Sequence, residues 1–102
     1  MIKIFDEPTF KSDLDKGGKL YVYFYSPSCN PCKITSPLIE NFGNTTSNIV
    51  YAIESTKGIE LQKQLKVSGY PSLIVIDKNK FLKGGIGQRE VEKIIEDATS
   101  NK

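Results

Sequence analysis

Apolar residues recur along this chain with two periods, and stretches of the two alternate. Ile2 to Phe5 is a short strand-like run, and Asp6 is placed to cap the segment that follows. Pro8 suits the first turn of a helix, where an N–H has no partner anyway. Phe10 and Leu14 fall four apart, on one helical face, and Gly17-Gly18 ends that segment. Lys19 to Tyr25 predicts the strongest strand, because its tyrosines, valine and phenylalanine favour a pleated surface. Leu20, Val22 and Phe24 face one way and Tyr21, Tyr23 and Tyr25 the other. Both faces are bulky, so the strand is expected at the centre of a sheet, covered on both sides. The three tyrosines are read first as packing residues.

Pro31 to Phe42 predicts a helix with Pro37 inside it. A proline there removes one helical bond and crowds the carbonyl of Lys33, so a kink is expected. Gly43 to Asn48 reads as a polar loop and Ile49 to Ile53 as a third strand. Ser55 or Thr56 is expected to cap a short helix carrying Leu61 and Leu65. Gly69-Tyr70-Pro71 is a turn before the apolar strand Leu73 to Ile76. Asp77 to Asn79 turns into Lys80 to Lys83, after which Gly84, Gly85 and Gly87 break the chain. Arg89 to Thr99 closes it as an amphipathic helix, with Val91, Ile94, Ile95 and Ala98 at helical spacing. The order β-α-β-α-β-α-β-β-α implies a layered α/β domain spanning residues 1–102, its last hairpin adding antiparallel edges.

Charge narrows the function classes. Fourteen basic residues face twelve acidic ones, a net +2 spread evenly along the chain, which argues against nucleic acid or a membrane surface as partner. Arg89 is the sole arginine, whereas phosphate recognition favours the guanidinium fork. Asp6 and Glu7 arrive before any apolar stretch long enough for an export signal, and nothing approaches the length of a membrane span. The expectation is a cytoplasmic chain. Thiols stay reduced there, so a lone cysteine pair is catalytic or metal-binding rather than structural.

That pair is Cys29 and Cys32, in the run Tyr25-Ser26-Pro27-Ser28-Cys29-Asn30-Pro31-Cys32-Lys33. The spacing puts both sulfurs at the start of one helix, close enough to bond to each other. A dithiol at a strand-to-helix junction reads as a redox centre. Zinc usually takes four ligands, and the chain has no histidine, so a metal site would require two chains to share four cysteines. No Gly-x-Gly-x-x-Gly occurs. No bound cofactor or metal is therefore expected, and electrons would come from a separate reductase. The reactive species is the thiolate, only a few per cent of a free cysteine at neutral pH. Unpaired N–H groups and the dipole at a helix N-terminus favour that anion, and Lys33 adds a positive charge. These effects fall on the outer residue. Cys29 is thus expected to attack a substrate disulfide, and Cys32, one turn further in, to resolve the mixed disulfide. Pro31, without an N–H, suits the first helical turn.

Taken together, Cys29-Asn30-Pro31-Cys32-Lys33 after the second strand, Pro37, Tyr70-Pro71 before the fourth strand and Gly87 before the last helix resemble the thioredoxin family over nearly the whole chain. The resemblance implies a thioredoxin fold: a central mixed sheet of about five strands flanked by four helices. It also implies a cis Tyr70–Pro71 peptide facing the dithiol, with the Tyr70 backbone exposed as a docking edge for an extended substrate. Several positions depart from the family pattern. Asn30 replaces a glycine, Ser28 a tryptophan, and Tyr70 a small aliphatic residue. Tyr23, six residues before Cys29, stands where the family carries a buried acid that helps proton transfer to the inner sulfur. A tyrosine can donate a hydrogen bond there but is a poor base at neutral pH, so Glu54 is considered as a stand-in. The implied activity is that of a specialised protein-disulfide reductase, a monomer acting on disulfides of other proteins. Two alternatives stand beside it: a thiol oxidase or isomerase working outside the cytoplasm, and a non-enzymatic binding module using the Tyr70–Pro71 edge.

Overall fold

In the computed structural model, which describes residues 1–100, nine elements follow the expected order. They are β1 (Ile2–Ile4), α1 (Glu7–Asp15), β2 (Leu20–Tyr25), α2 (Asn30–Thr45), β3 (Ile49–Glu54), α3 (Ile59–Gln64), β4 (Ser72–Asp77), β5 (Lys80–Ile86) and α4 (Gln88–Ser100). Lys102, where the expected domain ends, lies outside the described residues. The five strands form one sheet ordered β1-β3-β2-β4-β5. β1 and β2 each pair parallel with β3, whereas β4 runs antiparallel to β2, and β5 to β4. Among the described residues no helix is long and apolar enough to cross a membrane.

β2 is the central strand its sequence predicts, and its alternation divides the core in two. Tyr21 and Tyr23 join Ile39 and Phe42 of α2 and Val91 and Ile94 of α4 on one face. Leu20, Val22 and Phe24 join Phe10 of α1, Tyr51 and Ile53 on the other. Burying each such side chain contributes about 1.5–3 kcal/mol, so this strand anchors both layers and holds its C-terminal end rigidly. The dithiol motif leaves the sheet at that end.

Four local expectations change. α2 runs on through Pro37 and past Phe42 to Thr45 rather than giving way to a loop at Gly43. Phe42 and Gly43 are both buried, and the Ile2 side chain fills the space a Cβ at Gly43 would need. Packing against β1 thus holds in the helix a residue whose propensity argued for a break. Gly84 and Gly85 do not break the chain either, because β4 supplies them with partners (Ile74↔Gly84, Leu73↔Gly85). The cap of α3 is Gly58 in the left-handed region, with no side-chain cap; Ser55 and Thr56 lie too early. Leu65 falls just beyond the helix as its C-cap.

The core also holds an acid. Asp13 of α1 is 2% exposed, accepts from the Tyr51 hydroxyl at 2.5 Å and from Lys3 Nζ at 3.0 Å, and has Lys16 Nζ at 3.7 Å. The Tyr51 hydrogen bond, and then the Lys3 ammonium, hold its carboxyl below the ordinary 3.8 against the opposing effect of burial.

Candidate active site

Cys29 caps α2. Its backbone is extended (φ −88°, ψ 115°), its N–H donates to the Ser26 carbonyl at 3.1 Å, and its Sγ accepts from the Cys32 N–H at 3.2 Å. Asn30 and Pro31, both exposed, form the first helical positions, where the ring of Pro31 fits because no donor is needed. Cys29 is partly open to solvent, whereas Cys32 is 3% exposed, and both are free thiols. One sulfur is reachable from outside and the second lies behind it, the asymmetry that nucleophile and resolving thiol require.

Burial pushes the Cys32 thiol up to about 11, and its hydrogen bond with Cys29 pushes the same way. The Ser26 backbone and the Tyr23 hydroxyl pull in the opposite direction. Tyr23 packs in the core and also offers its hydroxyl to these surroundings. Its ring is buried and stacks on Tyr25 at 5.8 Å, and its hydroxyl lies 2.7 Å from Thr35 Oγ1 and 2.9 Å from Ser36 Oγ. Thr35, fully buried, also donates to the Pro31 carbonyl at 3.3 Å. Burial raises the Tyr23 phenol above its ordinary 10, so it acts as a hydrogen-bonding group and not as a base near neutrality. An open cleft of about 420 Å³, lined by Tyr23, Tyr25, Ser36, Glu40 and Ala52 among others, brings solvent to this network.

Glu54, considered as a stand-in for the acid, is bonded at the start of the β3–α3 loop. It ends β3, where its carboxylate accepts from the Thr56 hydroxyl at 2.8 Å in a solvent-exposed contact, and it is not among the groups acting on Cys32. Lys33 is exposed and pairs with no acid among the described residues. No group of three or more potential metal ligands occurs among the described residues.

The Tyr70–Pro71 peptide is cis. The β2–β4 ladder ends at Phe24↔Ser72, so Tyr70 and Pro71 continue alongside Tyr25 and the Ser26 turn that leads into Cys29. The Pro71 carbonyl accepts from Gly87 N–H at 2.8 Å, while among the described residues the Tyr70 backbone has no main-chain partner. The Tyr70 hydroxyl donates to Gln62 Oε1 at 2.5 Å, and Gln62 Nε2 donates to the carbonyls of Ser55 (3.0 Å) and Lys57 (2.8 Å). The sequence signalled neither Gln62 nor Thr35. Each is polar on a helix that meets the sheet, and only the tertiary partner reveals its burial.

A family model described as Thioredoxin matches residues 1–100. Thioredoxin-2 of Saccharomyces cerevisiae is 32% identical over 84% of this chain and 76% of its own length. A thioredoxin domain-containing protein of Theileria parva is 31% identical over 92% of this chain, which spans only 44% of that longer protein. The crystal structure of Schistosoma mansoni thioredoxin superposes with a TM-score of 0.84 at 19% identity, covering 99% of this chain and 95% of that one. This last likeness bears on the fold alone.

Proposed function

The chain belongs to the thioredoxin family, and from that premise we propose that it is a thiol–disulfide oxidoreductase acting as a protein-disulfide reductase. The observation that carries the reading is the capped pair: an accessible Cys29 sulfur facing the Cys32 amide, with the Cys32 thiol buried one turn behind it. Cys29, as thiolate, attacks one sulfur of a substrate disulfide and expels the other as a thiolate. Cys32 then gives up its proton and attacks the Cys29 sulfur. The Cys29–Cys32 disulfide forms, the second substrate sulfur leaves, and the two protons of the dithiol end on the two substrate thiols. Two electrons have moved to the substrate, and a separate reductase must return them.

The reductase direction is supported by the cytoplasmic setting proposed here, where a dithiol is kept reduced. The raised Cys32 thiol is protonated at neutral pH and so adds no stabilisation of the dithiol form by its own ionisation. The free main chain of Tyr70 supports docking of an extended segment alongside the dithiol. The cytoplasm, where such a dithiol stays reduced, is the setting we propose, and the working unit is a monomer with no bound cofactor.

Reduction of insulin driven by dithiothreitol tests the reading. The wild type should run well above the dithiothreitol background, Cys29→Ser should fall to background, and Cys32→Ser should trap substrate on Cys29. Folded protein with no rate above background would leave the binding-module alternative, and capture of substrate through Cys32 would reverse the two roles.

A further inference from the structure

Gln62 is a buried polar side chain, 8% exposed, whose amide is fully engaged. Both of its N–H bonds go to the β3–α3 loop, at Ser55 and Lys57, and its oxygen takes the Tyr70 hydroxyl. The same loop is fastened to the central strand, where the Ser55 N–H donates to the Tyr25 carbonyl at 2.7 Å. Tyr25 is the last residue of β2, immediately before the turn that carries Cys29. An unbroken line of hydrogen bonds therefore runs from the root of the cysteine turn, through Ser55 and Gln62, to the ring of Tyr70. The ring itself packs against the α1-side core. What this leaves free is the Tyr70 main chain.

We propose that Gln62 is a positioning residue for substrate docking: it clamps the Tyr70 side chain to the β3–α3 loop, so that the Tyr70 backbone is held ready for an extended, disulfide-bearing polypeptide segment. The clamp rests on the oxidoreductase reading for its consequence, though not for its geometry. A tyrosine beside the dithiol is a large group on a short loop. Unanchored, it samples rotamers that take the loop with it, and ordering it again on binding lowers affinity for a substrate that needs the backbone edge. A small disulfide, which reaches the Cys29 sulfur without that edge, is indifferent to the clamp.

Two variants break the clamp from opposite ends. Tyr70→Phe removes one hydroxyl and keeps the ring packing; Gln62→Leu removes the amide and keeps an apolar side chain in the buried site. With insulin as protein substrate, each should raise KM by about five- to tenfold, the effect of losing one or two net hydrogen bonds, while kcat changes little. Reduction of 2-hydroxyethyl disulfide should stay at the wild-type rate. The double variant should be no worse than the more affected single one, because both remove the same contact. Equal losses on the two substrates, additive losses, or an unchanged KM for insulin would overturn the proposal. If Gln62→Leu does not fold, Tyr70→Phe decides alone by the same criteria. Backbone relaxation at the Tyr70 amide, read as an order parameter, supplies a measurement independent of turnover. The order parameter should fall in both variants, and an unchanged value overturns the clamp. A wild type inactive on both disulfides would sink the reductase reading instead, with the relaxation measurement still deciding for or against Gln62.

Discussion

Tyr23 carries the chain's main departure in chemistry. A carboxylate next to the inner sulfur could accept its proton; a buried phenol cannot do so near neutrality. Its hydroxyl instead draws down a Cys32 thiol that burial has raised. Tyr23→Phe should therefore push Cys32 further up and slow resolution of the mixed disulfide modestly, by less than the roughly tenfold that one pKa unit makes, since the phenol is the weakest of the influences on that thiol. The protein should still fold, because Thr35 keeps its bond to the Pro31 carbonyl and Ser36 has solvent beside it. Release of a chromogenic thiol from a mixed disulfide on Cys29 measures the step. In the wild type its rate should climb about tenfold per pH unit across the neutral range, since the resolving thiol titrates far above it. An identical rate in the variant would reduce Tyr23 to packing. The pairing of the two cysteines at one helix start was legible in their spacing, but the hydroxyl network around Tyr23 was not. It depends on Thr35 and Ser36, which meet Tyr23 only when α2 packs across β2.

Elements were legible wherever local periodicity and tertiary burial agree. β2, β4 and α4 lie within a residue or two of their expected bounds, because their apolar positions are the ones the core uses. The misread glycines share one cause, a partner supplied by another element. Gly43 stays helical because Ile2 covers it, and Gly84 and Gly85 stay in a strand because β4 pairs with them. Asp13, which no local pattern singles out, bonds Tyr51, 38 residues away, and ties α1 to β3 and, through Lys3, to β1. Its folded pKa is depressed, so it stabilises the protein above the unfolded carboxylate value of about 3.9, and that contribution is lost as pH falls through the still lower folded value. Asp13→Asn should lose roughly 1–3 kcal/mol at pH 7, the range for breaking a buried hydrogen-bonded contact. The gap to wild type should close below pH 3.8. Urea unfolding of both proteins at neutral and acid pH checks the amount and the sign. A gap of the same size at both would assign Asp13 a role independent of its charge.

At the scale of the whole molecule, the two faces of the sheet divide the labour. The face covered by α2 and α4 carries the cysteines and the Tyr23 network, while the other holds the Asp13 and Gln62 contacts that brace β3, α1 and the Tyr70 loop. The dithiol therefore sits on a scaffold fastened from both sides, and its poise is decided locally, by what happens to charge on two sulfurs. The reductase reading requires the pair to lie on the reducing side of glutathione, with a potential more negative than about −220 mV at neutral pH. Tyr23→Phe should lower it further at high pH, where ionisation of Cys32 begins to favour the dithiol in the wild type, and leave it almost unchanged at pH 7, where Cys32 is protonated in both proteins. Equilibration with glutathione at several pH values, followed by trapping of free thiols, gives both numbers. A potential well above that of glutathione would reassign the protein to oxidation or isomerisation, and a Tyr23→Phe effect at pH 7 as large as at high pH would mean that the phenol acts on the disulfide form rather than on the Cys32 thiolate.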